Sequence, residues 1–397
     1  MPRLHRPPRL KAVRLVYETH STTLDNEAGV CTGWAPGALS ATGIRNAEEL
    51  GARRRGEVDL VVSSDLHRAV QTVEVAFAGT RVPRRTDPRL REVDFGELTG
   101  NAVDVVHARR RAHVERPFPG GQSYRQVVDG VRELLGELAR DQDGKRVLLV
   151  GHAATRYALD HLLTGRPLAR AATAPFAWRE GWEYVLENGL PTTEVLDGPG
   201  ALAVLDDLAG IYRAAFTPAP YAETEERVRQ VTTEQMPSHA ERDGYRCSVV
   251  REAGRIRGFC YGFTGRAGQW WTDRVTAEVP EAVAREWVGG HLEVVELAVD
   301  PVAQGRGYGA ALVDLLLEGA EEDRALLCTW PRGDGRLPAP RLYERLGWEL
   351  LHEEVLPGRD LWGGPHPRLS ARLAAGCRDR IQPATPARTN TCRTEHP

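Results

Sequence analysis

The chain has 397 residues, 41% hydrophobic and 27% charged, with 52 basic against 55 acidic side chains and a formal charge of −3. That balance lacks the basic excess of a dedicated nucleic-acid or membrane-surface binder, and the length predicts two or three domains at roughly 150 residues each. No apolar run approaches the roughly 18 residues of a membrane span. Six cysteines without CxxC spacing predict neither a zinc site nor a disulfide framework, and a reduced cytoplasm as the location.

The start, Met1 to Lys11, is basic and proline-rich without the apolar core of a secretory signal. Ala12 to Tyr17 reads as a strand, and Ser40 to Arg54 as a helix with Ser40 as its N-cap. Leu60–Val62 is a second strand and Asp65 to Phe77 a second helix; Tyr124 to Arg140 is another, followed by the apolar strand Arg146–Val150 and the helix Ala154–Leu163. Such alternation predicts a largely parallel sheet with helices on both faces. Pro191, Gly198, Pro199 and Gly200 mark a break over 188–200. Beyond it, Tyr245–Val250 and Ile256–Phe263 read as a hairpin joined through Glu252-Ala-Gly254-Arg. A long strand, His291–Val299, precedes a helix over Gly309–Gly319, then a strand over Leu326–Trp330 and a helix over Arg341–Leu346. From Pro365 the polar, Pro-, Thr- and Arg-rich sequence predicts a disordered tail. The expected division is 12–195, 200–365 and a tail over 366–397.

Two histidines, His20 and His152, directly follow the two clearest strands. In an open α/β sheet, residues past the carboxyl ends of strands gather in one crevice. Around them stand Val16-Tyr-Glu-Thr-His20, Thr32-Gly-Trp34, Leu39-Ser-Ala-Thr-Gly43, Ser63-Ser-Asp-Leu-His-Arg68 through Thr72, Leu90-Arg-Glu92, Pro119-Gly-Gly-Gln-Ser123 and Val150-Gly-His-Ala153. In that order they resemble the histidine phosphatase superfamily, with its phosphoglycerate-mutase-like, three-layer α/β/α fold. The resemblance implies His20 as a nucleophile forming phosphohistidine, Arg68 and His152 as donors to the phosphoryl oxygens, and Glu92 as general acid and then base. It implies no metal. The family usually reads Arg-His-Gly at the nucleophile, whereas this chain reads Thr19-His20-Ser21. Losing that guanidinium removes a charge-assisted phosphate contact, at a cost of a few kcal/mol of transition-state binding. Arg91, the Arg109–Arg111 run, Arg156 and the hydroxyls of Thr19, Ser21, Thr22 and Thr23 are possible compensators, and Asn26 is a further substrate-binding candidate.

In the second half, Glu296-Leu297-Ala-Val299-Asp-Pro301 leads into Gln304-Gly305-Arg306-Gly307-Tyr308-Gly309 and an apolar helix. A glycine-rich turn between strand and helix exposes main-chain N–H groups suited to a pyrophosphate. With Leu342-Tyr343-Glu-Arg-Leu-Gly-Trp348 downstream, this resembles the GNAT (Gcn5-related) N-acetyltransferases, an α/β domain with a mixed sheet, over about 202–363. The resemblance implies acetyl-CoA as cosubstrate on Leu297, Val299 and 304–309, Tyr343 as general acid toward the sulfur, and Glu296 or Glu293 as the base for the amine. Glu293 and Glu296, three apart in a strand, face opposite ways. Gln269-Trp270-Trp271 could wall the acceptor pocket. The expectation is a bifunctional enzyme acting on a phosphorylated small molecule and an amine, with no nucleic-acid or membrane partner. The alternative is an acetyltransferase whose first domain only binds a phosphorylated ligand.

Overall fold

A computed structural model describes residues 12–174, 176, 178–187, 189–331 and 337–364. Met1–Lys11, Asn188 in the predicted break and the predicted tail lie outside the described residues. By compactness the described chain forms two units, one of residues 12–263, 294–320 and 337–338, the other of 264–293, 321–331 and 339–364. Among the described residues no helix is long and apolar enough to cross a membrane.

The first unit opens with β1 (Val13–Thr19), α1 (Ala41–Arg54), β2 (Leu60–Ser63), α2 (His67–Ala76), β3 (Arg84–Thr86), α3 (Val103–Arg109), α4 (Tyr124–Asp141), β4 (Arg146–Gly151), α5 (Ala153–Thr164) and β5 (Trp182–Leu186). The strands make one sheet in the order β3-β2-β4-β1-β5. The pairs β1–β4, β2–β4 and β2–β3 are parallel, with Leu15 opposite Val147 and Tyr17 opposite Leu149; β5 closes the edge antiparallel, Val13 against Leu186. The predicted parallel sheet is therefore present, with an antiparallel edge strand that the sequence pattern did not reveal.

Side-chain alternation sorts the two cores. Val13, Leu15, Tyr17, Val147 and Leu149 pack on one face with Val127, Val131, Leu134 and Leu138 of α4. On the other face Val16, Val61, Leu148 and Val150 pack with Leu50 of α1 and Ala69, Val73 and Phe77 around α2. Each fully buried aliphatic or aromatic side chain contributes about 1.5–3 kcal/mol. Helix starts are fixed locally: Ser40 caps α1 by accepting from Gly43 N–H at 3.1 Å, as predicted, and Ser123 and Gln126 form a reciprocal capping box at α4.

The same unit continues through β6 (Thr192–Leu196), α6 (Leu205–Phe216), β7 (Arg246–Glu252), β8 (Arg255–Gly265), β9 (His291–Val299) and α7 (Tyr308–Leu317). Within the predicted break, Thr192–Leu196 is ordered as β6 and pairs antiparallel with β7, Thr193 opposite Val250. The β7–β8 hairpin turns through Ala253 and Gly254, both at positive φ, the two-residue geometry whose twist matches the flanking strands. Cys247, Val249, Phe259, Tyr261 and Ala298 pack with Leu208, Ile211 and Tyr212 of α6.

The second unit holds the start of β9, which pairs parallel with β10 (Ala325–Thr329) at Leu292–Ala325 and Glu293–Leu326. It adds α8 (Pro338–Arg345), β11 (Glu349–Leu356) and β12 (Arg359–Gly364), with β12 antiparallel to both β10 and β11. Gly363 and Gly364 admit large rings onto β12: a Cβ there would lie 2.6 Å from Trp287 and from Trp348 respectively.

Candidate active sites

The carboxyl ends of β1 and β4 open on a cavity of about 390 Å³, lined by Thr19, His20, Ser21, Asn26, Arg68 and Glu92 among others. His20 follows β1, and its Nδ1 lies 2.7 Å from the carbonyl oxygen of Ser21. A carbonyl only accepts, so this contact assigns the neutral ring's proton to Nδ1 and a lone pair to Nε2. Nε2 in turn accepts from Arg68 Nε at 3.3 Å. Burial first, then the Arg68 charge, lower the His20 imidazole to about 3, so it is neutral across the physiological range.

His152 follows β4, its ring centroid 5.0 Å from that of His20. Its Nδ1 faces Arg68 Nη2 at 3.3 Å, and a guanidinium only donates. The neutral tautomer therefore carries its proton on Nε2, a buried atom with no hydrogen-bond partner. Burial and then Arg68 hold His152 well below the ordinary histidine value. Tyr17 fixes the turn behind it, donating to the His152 carbonyl oxygen at 2.5 Å. Arg68 itself is anchored by the Gly33 carbonyl at 2.8 Å. Glu92 Oε1 accepts from Val93 and Ala154 N–H at 2.9 and 3.1 Å. Desolvation outweighs those bonds and raises the Glu92 carboxyl. A neutral nucleophile, a guanidinium and a carboxyl group thus line one cavity, with the unpartnered buried N–H of His152 on the ring beside His20 and Arg68, a set suited to phosphoryl transfer. Among the described residues no group of three or more His, Cys, Asp and Glu side chains could hold a metal ion.

The glycine-rich turn after β9 differs in kind. Gly305 and Gly307 have φ of +78° and +87°, and Gly307 starts α7 without a side-chain cap. The first N–H groups of α7 are thereby left to main-chain or ligand partners. The Arg306 and Tyr308 side chains are both engaged by Glu252 of β7: Arg306 Nη1 and Tyr308 OH donate to Glu252 Oε1 at 2.8 and 3.0 Å. Glu187 Oε1 lies 3.0 Å from the same Arg306 nitrogen, and Gln304 Nε2 donates to the Val299 carbonyl at 3.1 Å. An uncapped helix start behind two left-handed glycines fits the pyrophosphate of an acyl-CoA.

Residues 19–178 match the histidine phosphatase superfamily (branch 1), and residues 204–348 match the acetyltransferase (GNAT) family. The chain fuses a histidine phosphatase domain to a GNAT domain. The GCN5-like protein acetyltransferase Rv2170 of Mycobacterium tuberculosis is 35% identical over 113 residues, 27% of this chain and 53% of that protein. The chain thus spans about half the length of that acetyltransferase. The adenosylcobalamin/alpha-ribazole phosphatase of Salmonella typhimurium is 27% identical over 207 residues, 50% of this chain and 98% of that protein. A solved mycobacterial glucosyl-3-phosphoglycerate phosphatase is 26% identical, covering 42% of this chain and 87% of its own, with a TM-score of 0.37.

Within the histidine phosphatase domain the structure brings His20, Arg68, Glu92 and His152 together, with Thr19, Ser21 and Asn26 on the cavity wall. Asn26 is tied into a capping box with Thr23. Arg91 is not among the lining residues: it is turned onto Asp65 in a bidentate pair at 2.7 and 2.5 Å and lies over the Trp34 ring. Arg156 is paired with Asp160 at 2.6 Å, and Arg109 and Arg111 are exposed. Arg110, alone of its run, is buried in the cavity wall. Arg53 also lines the cavity, and no sequence signal distinguished it from a solvated helix face.

In the GNAT domain Leu297 and Val299 are half-buried on one face of β9 and Glu296 is half-buried on the other. After burial itself, the Glu296 charge is the next cause raising the phenols of Tyr212 and Tyr261. Glu293 is buried. Tyr343 is buried in α8 with its ring 5.4 Å from Trp348. Gln269-Trp270-Trp271 is the start of the helix Trp270–Glu278; Trp270 is 72% exposed, whereas Trp271 packs on His291. Glu252, which fixes two side chains of the turn, was not foreseen, since a strand-end glutamate carries no motif.

Proposed function

We propose that the protein is a bifunctional enzyme: the histidine phosphatase domain hydrolyses a phosphomonoester of a small metabolite through a phosphohistidine, and the GNAT domain moves an acetyl group onto an amine. The observation that carries the first half is the tautomer pair, with His20 Nε2 as acceptor and His152 Nε2 as unpartnered buried donor. His20 Nε2 attacks phosphorus, the bond to the ester oxygen breaks, and Glu92 gives that oxygen its proton. Water then attacks the phosphohistidine, Glu92 takes a proton from it, and His20 leaves as a neutral imidazole with inorganic phosphate as product. Arg68 and His152 hold the phosphoryl oxygens, where charge grows in the transition state. With Thr19 in place of an arginine, these two carry that role, and turnover is slower than with a second guanidinium.

For the GNAT domain, acetyl-CoA supplies the acetyl group when bound. The main chain of 304–309 with Leu297 and Val299 holds it, Glu296 takes the amine proton at its carboxylate, and the Tyr343 hydroxyl holds a proton for the departing sulfur. The protein-acetyltransferase relative adds a protein amine to the acceptor classes beside a small-molecule amine.

The test is phosphate release from a panel of sugar, nucleotide and hydroxy-acid phosphates, with His20→Ala beside wild type, and thiol release from acetyl-CoA with small amines and peptides. Release lost in the variant supports the phosphohistidine route. Ligand binding without release in either protein favours the alternative, a first domain that only binds a phosphorylated ligand, for which the missing guanidinium at Thr19 is the motivating feature.

A further inference from the structure

Three described arginines are less than a tenth exposed: Arg54 at 8%, Arg68 at 3% and Arg110 at 7%. Arg54 is neutralised by Glu18 at 3.2 Å. Arg68 has no carboxylate within ion-pair distance among the described residues, and it is the guanidinium assigned above to the phosphoryl oxygens. Arg110 shares that signature. Its Nη1 donates to the Tyr157 hydroxyl at 3.1 Å and its Nη2 to His107 Nε2, both neutral acceptors, since burial and then Arg110 itself lower His107 to about 4. Its Nε is buried and has no partner. A desolvated cation without a counter-ion is costly, and this one stands in the wall of the cavity that holds His20.

Its position within the cavity narrows the ligand. Arg68 is the arginine whose charge bears on His20 and His152. Both arginines bear on Glu92, but Arg110 bears on Glu92 and Cys31 and on neither histidine, so within the cavity wall it lies on the side of the acid that protonates the leaving oxygen, away from the nucleophile. It is therefore poorly placed to replace the guanidinium missing at Thr19 and well placed to meet the leaving group.

We infer that Arg110 binds a second anionic group on the leaving portion of the substrate, a carboxylate or a further phosphate. This rests on the phosphatase reading, and it makes the preferred substrate an ester of an acidic alcohol rather than a neutral one.

The probes are 2-phosphoglycolate, ethylene glycol bisphosphate and ethyl phosphate, which carry a carboxylate, a second phosphate and neither. A charged hydrogen bond contributes about 1.5–3 kcal/mol, so wild type should favour one of the acidic esters over ethyl phosphate by roughly tenfold to a hundredfold in kcat/KM. Arg110→Gln should collapse that ratio mainly through KM, and Arg110→Lys should restore part of it; melting curves check that both variants fold. Equal use of all three esters by wild type, or a ratio unmoved in Arg110→Gln, overturns the inference. If wild type releases phosphate from none of them, the phosphatase reading fails separately, and calorimetric binding of the same probes decides. Tighter binding of an acidic ester that Arg110→Gln abolishes supports the inference, and equal binding overturns it.

Discussion

The two candidate sites are built from different parts of the chain. In the histidine phosphatase domain the proposed substrate contacts are side chains: His20, Arg68, Glu92 and His152, the first three held by main-chain groups, the Ser21 and Gly33 carbonyls and the Ala154 N–H. At the GNAT turn the arrangement is inverted. The proposed ligand contact there is the main chain, while the Arg306 and Tyr308 side chains are engaged by Glu252. A side-chain site fails when one atom changes chemistry. A main-chain site fails when a Cβ is added where φ is positive.

The largest effect that would break this contrast lies at Glu92. Glu92→Gln keeps the bonds to Val93 and Ala154 N–H but cannot donate the carboxylic proton, so kcat for phosphate release should fall by about 10²–10⁴. The raised carboxyl of Glu92 also sets a sign. The step that needs the acid is retained below that raised value and lost above it, so the variant should lose the basic limb of the wild-type rate profile. An unaltered kcat would show that another group protonates the leaving oxygen.

Tyr343→Phe makes the matching test in the GNAT domain. Loss of the hydroxyl should lower kcat for thiol release by about 10² with little change in the KM for acetyl-CoA. A change confined to KM would make Tyr343 a packing partner of Trp348 instead.

What the sequence made legible follows the physics of burial. Strands β1 and β4 are buried on both faces and read as apolar runs, and the Ser40 cap and the Ala253-Gly254 turn are local signals. β6 is a half-exposed edge strand, Thr192-Thr-Glu-Val-Leu196, without the period that marks a buried face. Long-range side-chain pairing was not legible either. Arg91 looked available until the fold placed Asp65 beside it. Arg109, Arg110 and Arg111 are equivalent as letters, and only the fold around the end of α3 buries the middle one.

A smaller effect sharpens the main-chain half. Gly307→Val requires a β-branched residue at φ +87°, with its Cβ 2.9 Å from the Thr164 methyl. Left-handed strain of about 1–2 kcal/mol should raise the KM for acetyl-CoA roughly tenfold. Arg306→Ala, which deletes a side chain already engaged by Glu252 and Glu187, should raise it less. The opposite ranking would make the Arg306 guanidinium, rather than the main chain, the principal ligand contact.

The gentlest test uses pH. His20 is lowered from 6.5 to about 3, and His239 and His291 from 6.5 to about 4, in each case by burial first. Between those folded values and 6.5 the unfolded chain binds protons that the folded chain does not, so stability rises with pH across that window. The contribution is fully present above 6.5 and is lost as pH falls toward the folded values. Melting temperature should therefore drop steadily on acidification below 6.5, and His20→Gln should flatten part of that slope. The same burial keeps Nε2 of the folded His20 unprotonated below 6.5, so the acidic limb of phosphate release should lie well under the ordinary histidine value. A limb at that value would mean that the imidazole is wetter than its surroundings in the fold imply, and the side-chain site would then be less preorganised than the main-chain one.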